Sequence, residues 1–184
     1  MDDHPTDTND SDLEWIYWLT LAAQLPTEGV RSAFPTEADC LQRLQKVRWT
    51  NEQRCEHCGS NKIVSLATRP VFQCQNCRRQ FSVTSGTTMH RSHLPPTLWF
   101  AGAELLIRTH AYRGGLRHVI NREMADCLGV EYEAGWRMNK KLLADLTLGG
   151  PGLLRKAICV TSPIMPSGTV IGSADHLNWL LEQE

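Results

Sequence analysis

No run in this 184-residue chain is apolar for long enough to cross a membrane. The N-terminus has no basic-then-apolar pattern, so a secreted product is not expected. A glycine-rich phosphate loop of P-loop form is also missing. The scattered serines, histidines and acids assemble into no Ser-His-Asp or Cys-His set, so no enzyme is expected. Aromatic residues make up only 7 % of the chain, yet six of them are tryptophan. Net charge is nearly absent too, at −1, but this balance hides an asymmetry. Residues 1–39 hold nine acids against Arg31 alone, a net −8, whereas residues 40–91 hold nine bases against Glu52 and Glu56, a net +7. A basic module beside an acidic arm points to a polyanionic partner, nucleic acid first. Neutralisation of the one by the other is the plainer alternative.

Cysteine, in contrast, is plentiful. Seven are present, and four of them form two C-x-x-C pairs, Cys55/Cys58 and Cys74/Cys77, with fifteen residues between the pairs. A C-x-x-C segment curls into a tight knuckle that turns both sulfurs toward one point. Two knuckles supply four thiolates, the ligand set of a closed, structural Zn²⁺ site with no open position for a catalytic water. Two disulfides or a rubredoxin-type iron site are the alternatives. His57 lies inside the first knuckle and could replace one thiolate. Ile63–Leu66, Val71–Gln73 and Gln80–Val83 read as three short strands, and Gly59 stands where a knuckle needs a positive φ. The segment reads as a zinc ribbon. Cys40, Cys127 and Cys159 are unpaired in sequence, which fits a reducing, cytoplasmic setting.

Residues 1–10 read as a disordered acidic tail. Residues 11–33 carry an apolar helix, about Asp12 to Leu25, with Ser11 and Glu14 as a capping box. Trp15, Ile16, Tyr17, Trp18, Leu19 and Leu21 make it apolar on nearly every side. It must therefore pack on the ribbon, on a second copy or on a partner, with Trp15, Tyr17 and Trp18 as the candidate partner-binding residues. The ribbon domain spans 34–91 with a leading helix, Thr36 to Val47, capped by Thr36 and laid over the ribbon as a lid. Residues 92–148 open on Leu94-Pro95-Pro96 and a helix from Thr97 to about His110 that ends before Arg113-Gly114-Gly115. Arg122 to Leu128 then forms a short helix, Gly129-Val130-Glu131 a turn and Tyr132 to Leu146 a longer helix. That is a helix-turn-helix pattern, with Trp136 expected in its core. Gly135 weakens the second helix by up to about 1 kcal/mol relative to alanine. In the tail, 149–184, a strand near Ala157–Val160 and a short helix near Leu177–Leu181 are expected.

FPTEADCLQRLQKVRW, CEHCGS, QCQNCRRQFSVTSGTTMH, LPPTLWF and CLGVEYEAGWRMNKKL, in that order, resemble one contiguous region of bacterial insertion-sequence transposases. It is the zinc-ribbon and helix-turn-helix region that precedes a DDE-type catalytic domain. The resemblance covers about Phe34 to Leu146. It implies DNA binding by ribbon and helix-turn-helix, with strand transfer assigned to a separate RNase-H-like domain that uses three carboxylates and Mg²⁺. This sequence departs in three respects. Only 38 residues follow Leu146, with Asp175, Glu182 and Glu184 as their carboxylates, so strand transfer is not expected of them. The second helix opens with Glu131 and Glu133, where a small polar and a basic residue are more usual. The tryptophan-rich N-terminal helix lies outside the resemblance.

The expected fold is therefore α+β and mostly helical, a small three-stranded zinc ribbon flanked by helices and followed by a helix-turn-helix. The expected cofactor is one structural Zn²⁺, bound by Cys55, Cys58, Cys74 and Cys77. The candidate DNA contacts are Arg78 and Arg79, then Arg69, Arg54, Lys62 and Arg91 on the ribbon. On the helical part they are Arg117, Arg122, Tyr132, Arg137, Lys140 and Lys141, with His118 beside them. Together these describe a nucleoid-associated regulator of transcription that binds double-stranded DNA, with a homodimer open. An adaptor docking on RNA polymerase, or an inert transposase remnant, is the rival reading.

Overall fold

The computed structural model describes residues 10–66, 69–112 and 121–183. Two cores organise them, one helical and one built around the cysteines. The element order is α1 (Asp10–Ala23), α2 (Val30–Ala33), α3 (Glu37–Arg48), β1 (Ile63–Ser65), β2 (Phe72–Cys74), β3 (Gln80–Phe81), α4 (Pro96–Tyr112), α5 (Asn121–Leu128), α6 (Tyr132–Leu146), α7 (Leu153–Ile158) and α8 (Ala174–Leu181).

α4 is the axis of the helical body. Pro96 opens it with a pre-set φ, and Trp99, Phe100, Ala101, Gly102, Ala103, Leu106 and Ile107 are buried along it. This all-round burial follows from its neighbours, since α1, α2, α3, α5, α6 and α7 all touch it. Gly102 is needed where α6 crosses, because a Cβ there would stand 2.9 Å from the sulfur of Met138 and 3.1 Å from Leu142.

α1 explains its own all-round apolarity in the same way. It lies along α4 on one side and meets α8 on another, which buries Ile16, Trp18, Leu19, Leu21 and Ala22. Trp18 is 1 % exposed and stacks on His110 at 4.4 Å, the Trp15 indole N–H donates to Ala111 O at 2.7 Å, and the Tyr17 hydroxyl donates to Leu146 O. The three side chains expected to meet a partner thus serve this chain's own body. The helix begins at Asp10, which puts Ser11 inside the first turn rather than at the cap. The expected disordered tail falls almost wholly outside the described residues, as does Arg113-Gly114-Gly115.

α3 starts at the expected Thr36 with a complete capping box to Asp39. Its apolar face, Cys40 and Leu44, goes into the helical core against α4 and α7, not onto the ribbon as a lid. The tail differs most from expectation. Residues 153–158 are helical, and only the stretch after them is extended. That stretch closes the open C-terminal end of α1: Val160 and Thr161 N–H donate to Gln24 O at 2.9 and 3.0 Å, and the Thr161 hydroxyl to Ala23 O at 3.0 Å. Arg43 of α3 caps α7 in turn, donating to Ala157 O and Lys156 O at 2.9 Å each. Asp145, 1 % exposed, accepts from Leu154 N at 3.0 Å and from the Thr88 hydroxyl at 2.8 Å, tying α6, α7 and the ribbon exit together. The tail is part of the body.

Candidate metal centre and its basic surround

The ribbon is a three-stranded antiparallel sheet in the order β1-β2-β3, with Ile63 opposite Cys74 and Phe72 opposite both Ser65 and Phe81. β2 runs directly into the second knuckle, so Cys74 is both a strand residue and a ligand. The two knuckles are built alike. In the first, Gly59 N donates to Cys55 O and Cys55 N to Ser60 O; in the second, Arg78 N donates to Cys74 O and Cys74 N to Arg79 O, all at 2.8–3.0 Å. The turn needs a left-handed residue just after each second cysteine. Gly59 meets that need at φ +70°, whereas Arg78 meets it at φ +63°, a conformation that costs a side chain about 1–2 kcal/mol.

The four Sγ atoms lie within 4.8 Å of one another, with Cys55–Cys77 and Cys58–Cys74 each at 3.6 Å. A tetrahedral Zn²⁺ with bonds of about 2.3 Å separates its sulfurs by roughly 3.8 Å. The donor set and spacing fit one structural Zn²⁺. Disulfides do not fit, since a bonded pair requires about 2.05 Å and all the described cysteines are free thiols. His57 is exposed and stands outside the cluster. Hydrogen bonds favour the thiolate at Cys58 and Cys74, whereas at Cys77 backbone donation from Arg79 is outweighed by burial and the three neighbouring thiols, which push it up to about 11. Backbone donation from Ser60, followed by the Asn76 side chain at 3.7 Å, draws the Cys58 thiol down to about 6. Backbone donation from Cys77 lowers Cys74 as well. Asn76 is a support that the cysteine pattern alone did not single out.

Beside the metal the ribbon has only a small apolar core, Cys55, Cys74 and Phe81. Trp49 closes it, edge-on to Phe72 at 5.6 Å and to Phe81 at 6.2 Å. Trp49 also packs on the helical core, so it joins the two. Arg48 latches the junction, because its guanidinium donates to Val83 O, pairs with Glu56 and lies 5.0 Å over the Trp49 ring.

The expected phosphate-contacting side chains fall into two groups. Arg54, Lys62, Arg69, Arg78 and Arg79 are exposed on the ribbon. Arg54 pairs with Glu52 at 2.8 Å, and Arg69 donates to Gln80 at 3.1 Å. Arg91, expected with the ribbon, instead shares a cleft with Arg137, Lys140 and Lys141 of α6, because the chain turns back at residues 91–94 before α4 begins. Arg122 lies 5.8 Å over the ring of Tyr132, and both are exposed. Arg117 and His118 lie outside the described residues. α5 and α6 meet through a turn in which Gly129 has φ +64°. Gly135 is required here, since a Cβ would stand 2.9 Å from the Ala125 Cβ; it is a contact point between helices rather than a flaw in one. Trp136, expected in the core, is 45 % exposed.

Comparison with known proteins agrees with this geometry. The chain is 24 % identical, over 123 residues, to an uncharacterized protein in transposable element ISH50 of Halobacterium salinarum. The aligned part is 65 % of this chain and 39 % of that protein, so the chain spans about two-fifths of the relative's length. No solved structure matches. No described helix is long and apolar enough to cross a membrane. Residues 35–80, which contain the four cysteines, β1, β2 and the first residue of β3, match the transposase zinc-ribbon domain family.

Proposed function

We propose that this chain is a zinc-dependent, transposase-derived DNA-binding protein that regulates transcription and performs no strand transfer itself. One observation carries the reading: a metal-fixed module displays five exposed cations, Arg54, Lys62, Arg69, Arg78 and Arg79, while the two acids of residues 40–91 engage only Arg54 of these five and the more buried Arg48. Cations held in the knuckles and turns around a small sheet can follow a phosphate backbone, and phosphate contacts supply most of the affinity for duplex DNA. The match of this module to a transposase zinc-ribbon domain supports nucleic acid as its partner. In this reading α5, the Gly129 turn and α6 act as a helix-turn-helix. Tyr132 and the face bearing Arg137 and Lys141 then lie against the duplex with Arg122 beside them. The exposed Glu131 and Glu133 narrow the readout, since a carboxylate accepts from cytosine N4 and repels phosphate.

The same two glutamates favour a second reading, an adaptor docking on RNA polymerase. Occupancy of the tagged protein across the genome, beside an Arg78→Ala/Arg79→Ala double variant, separates the two. DNA binding predicts sharp peaks with a shared motif that the variant loses, and a log-affinity against log-salt slope of about −0.9 per phosphate contacted. A broad signal that follows the polymerase and survives the variant supports the adaptor. Absence of salt-dependent duplex affinity removes the primary reading.

A further inference from the structure

The cleft between residues 91–94 and α6 has a volume of about 710 Å³, the size of a site for one small organic group. Its inner wall is apolar, formed by Leu94, Trp99 and Met138. The Trp99 indole N–H is already satisfied by the Ser92 hydroxyl at 3.0 Å, so Trp99 contributes only ring surface. Every titratable side chain that lines the cleft is basic, namely Arg91, His93, Arg137, Lys140 and Lys141. Trp136 stands at this cleft 45 % exposed, and the Lys140 ammonium lies 5.8 Å from its ring centroid. Arg91, on the opposite lip, holds φ +55°, a left-handed conformation that a side chain rarely adopts and that recurs at binding sites. Glu133 pairs with Arg137 at 2.7 Å, but both side chains are more than two-thirds exposed, so a phosphate can displace the carboxylate.

An apolar slot beside an open indole, ringed by cations, is complementary to a flat ring attached to phosphate. We propose that this cleft receives an unpaired nucleotide of a DNA strand, with its base stacked on Trp136 and its phosphates held by Arg91, Lys140 and Lys141. A paired base cannot use the slot, because both of its faces are stacked within the duplex. A free mononucleotide uses it incompletely, because three cations exceed the charge of one phosphate and match several consecutive ones. The inference rests on the DNA-binding reading and adds a preference within it. Base–aromatic stacking of this kind tolerates any sequence.

The test uses the zinc-loaded full chain and fluorescence anisotropy on two labelled duplexes, identical except for one unpaired nucleotide, with adenosine monophosphate as a third ligand. The expected result is at least fivefold tighter binding of the bulged duplex. In Trp136→Ala the ratio of the two affinities falls to about one, and Trp136→Phe restores most of it. Arg78→Ala/Arg79→Ala weakens both duplexes and leaves the ratio in place. Equal affinity for both duplexes in the native protein overturns the proposal, as does a preference indifferent to Trp136→Ala. Binding of adenosine monophosphate that depends on Trp136, without a preference for the bulged duplex, overturns it in favour of a free-nucleotide site. Failure of both duplexes to bind with salt dependence defeats the DNA-binding reading itself.

Discussion

The helical body and the ribbon solve the same problem by different means. The body buries a continuous apolar cluster that runs from Ile16 through Trp99 and Leu142 to Leu180, and its polar groups serve to close helix ends. The ribbon buries one aromatic, Phe81, and two of its own ligands, too little apolar area to hold a sheet whose strands are two or three residues long. Metal coordination has to supply there what burial supplies in the body. The contrast shows where each region tolerates change. The body depends on shape, the ribbon on four sulfurs.

Removing zinc is the largest expected perturbation. A chelator, or Cys74→Ser, should unfold the ribbon while α1, α4 and α6 persist, because ligand binding and ribbon folding are one equilibrium worth on the order of 10 kcal/mol. Far-UV circular dichroism should keep most of its helical signal while one equivalent of zinc is released. Loss of all helicity on chelation would mean that the two regions fold as one unit. Next comes Phe100→Ala at the centre of the body, where the side chain is 1 % exposed. It should destabilise the helices by about 3–5 kcal/mol in a denaturant titration and leave zinc stoichiometry at one.

Gly135→Ala should destabilise by about 1–2 kcal/mol, although alanine is the better helix former. The new methyl meets the Ala125 Cβ 2.9 Å away, and overpacking outweighs the propensity gain of up to about 1 kcal/mol. A rise in melting temperature would show that α5 can move away from α6. The smallest effect is chemical. Burial, then the nearby Asp39, pushes Cys40 up to about 11, and burial pushes Cys159 up to about 12. A raised thiol pKa leaves less thiolate at a given pH, so both should resist alkylation at pH 8 until the body unfolds. The exposed Cys127 should react first in the zinc-loaded protein, as read by mass spectrometry of tryptic peptides.

The ribbon was the more legible region because its determinants are local. Two C-x-x-C pairs at a short separation bring four sulfurs together whatever the remainder of the chain does, and Gly59 marks its own turn. The boundaries of α6 and the Thr36 cap were legible for the same reason, as caps and turns involve residues three or four apart. Trp136 was misread because an apolar residue at a helical spacing carries no label for which neighbour, if any, will cover it. Residues 157–159 look β-prone by themselves, but they lie in and just after a short helix whose start is held by Asp145 and whose end is held by Arg43 of α3. Arg91 follows the ribbon in sequence and yet faces α6, since a left-handed residue turns the chain there.

By itself, then, the sequence determined the metal site, the mostly helical α+β class and the order of the elements from α3 to α6, all of which rest on spacings within a few turns of chain. Tertiary structure alone decided that the tryptophan-rich first helix belongs to the body, that the tail closes that helix's end and that one tryptophan on α6 stays open beside four cations. Those outcomes depend on contacts between residues up to 138 positions apart, such as Arg155 with Tyr17 and Thr161 with Ala23, and pairings of that range leave no periodic trace in the chain that makes them.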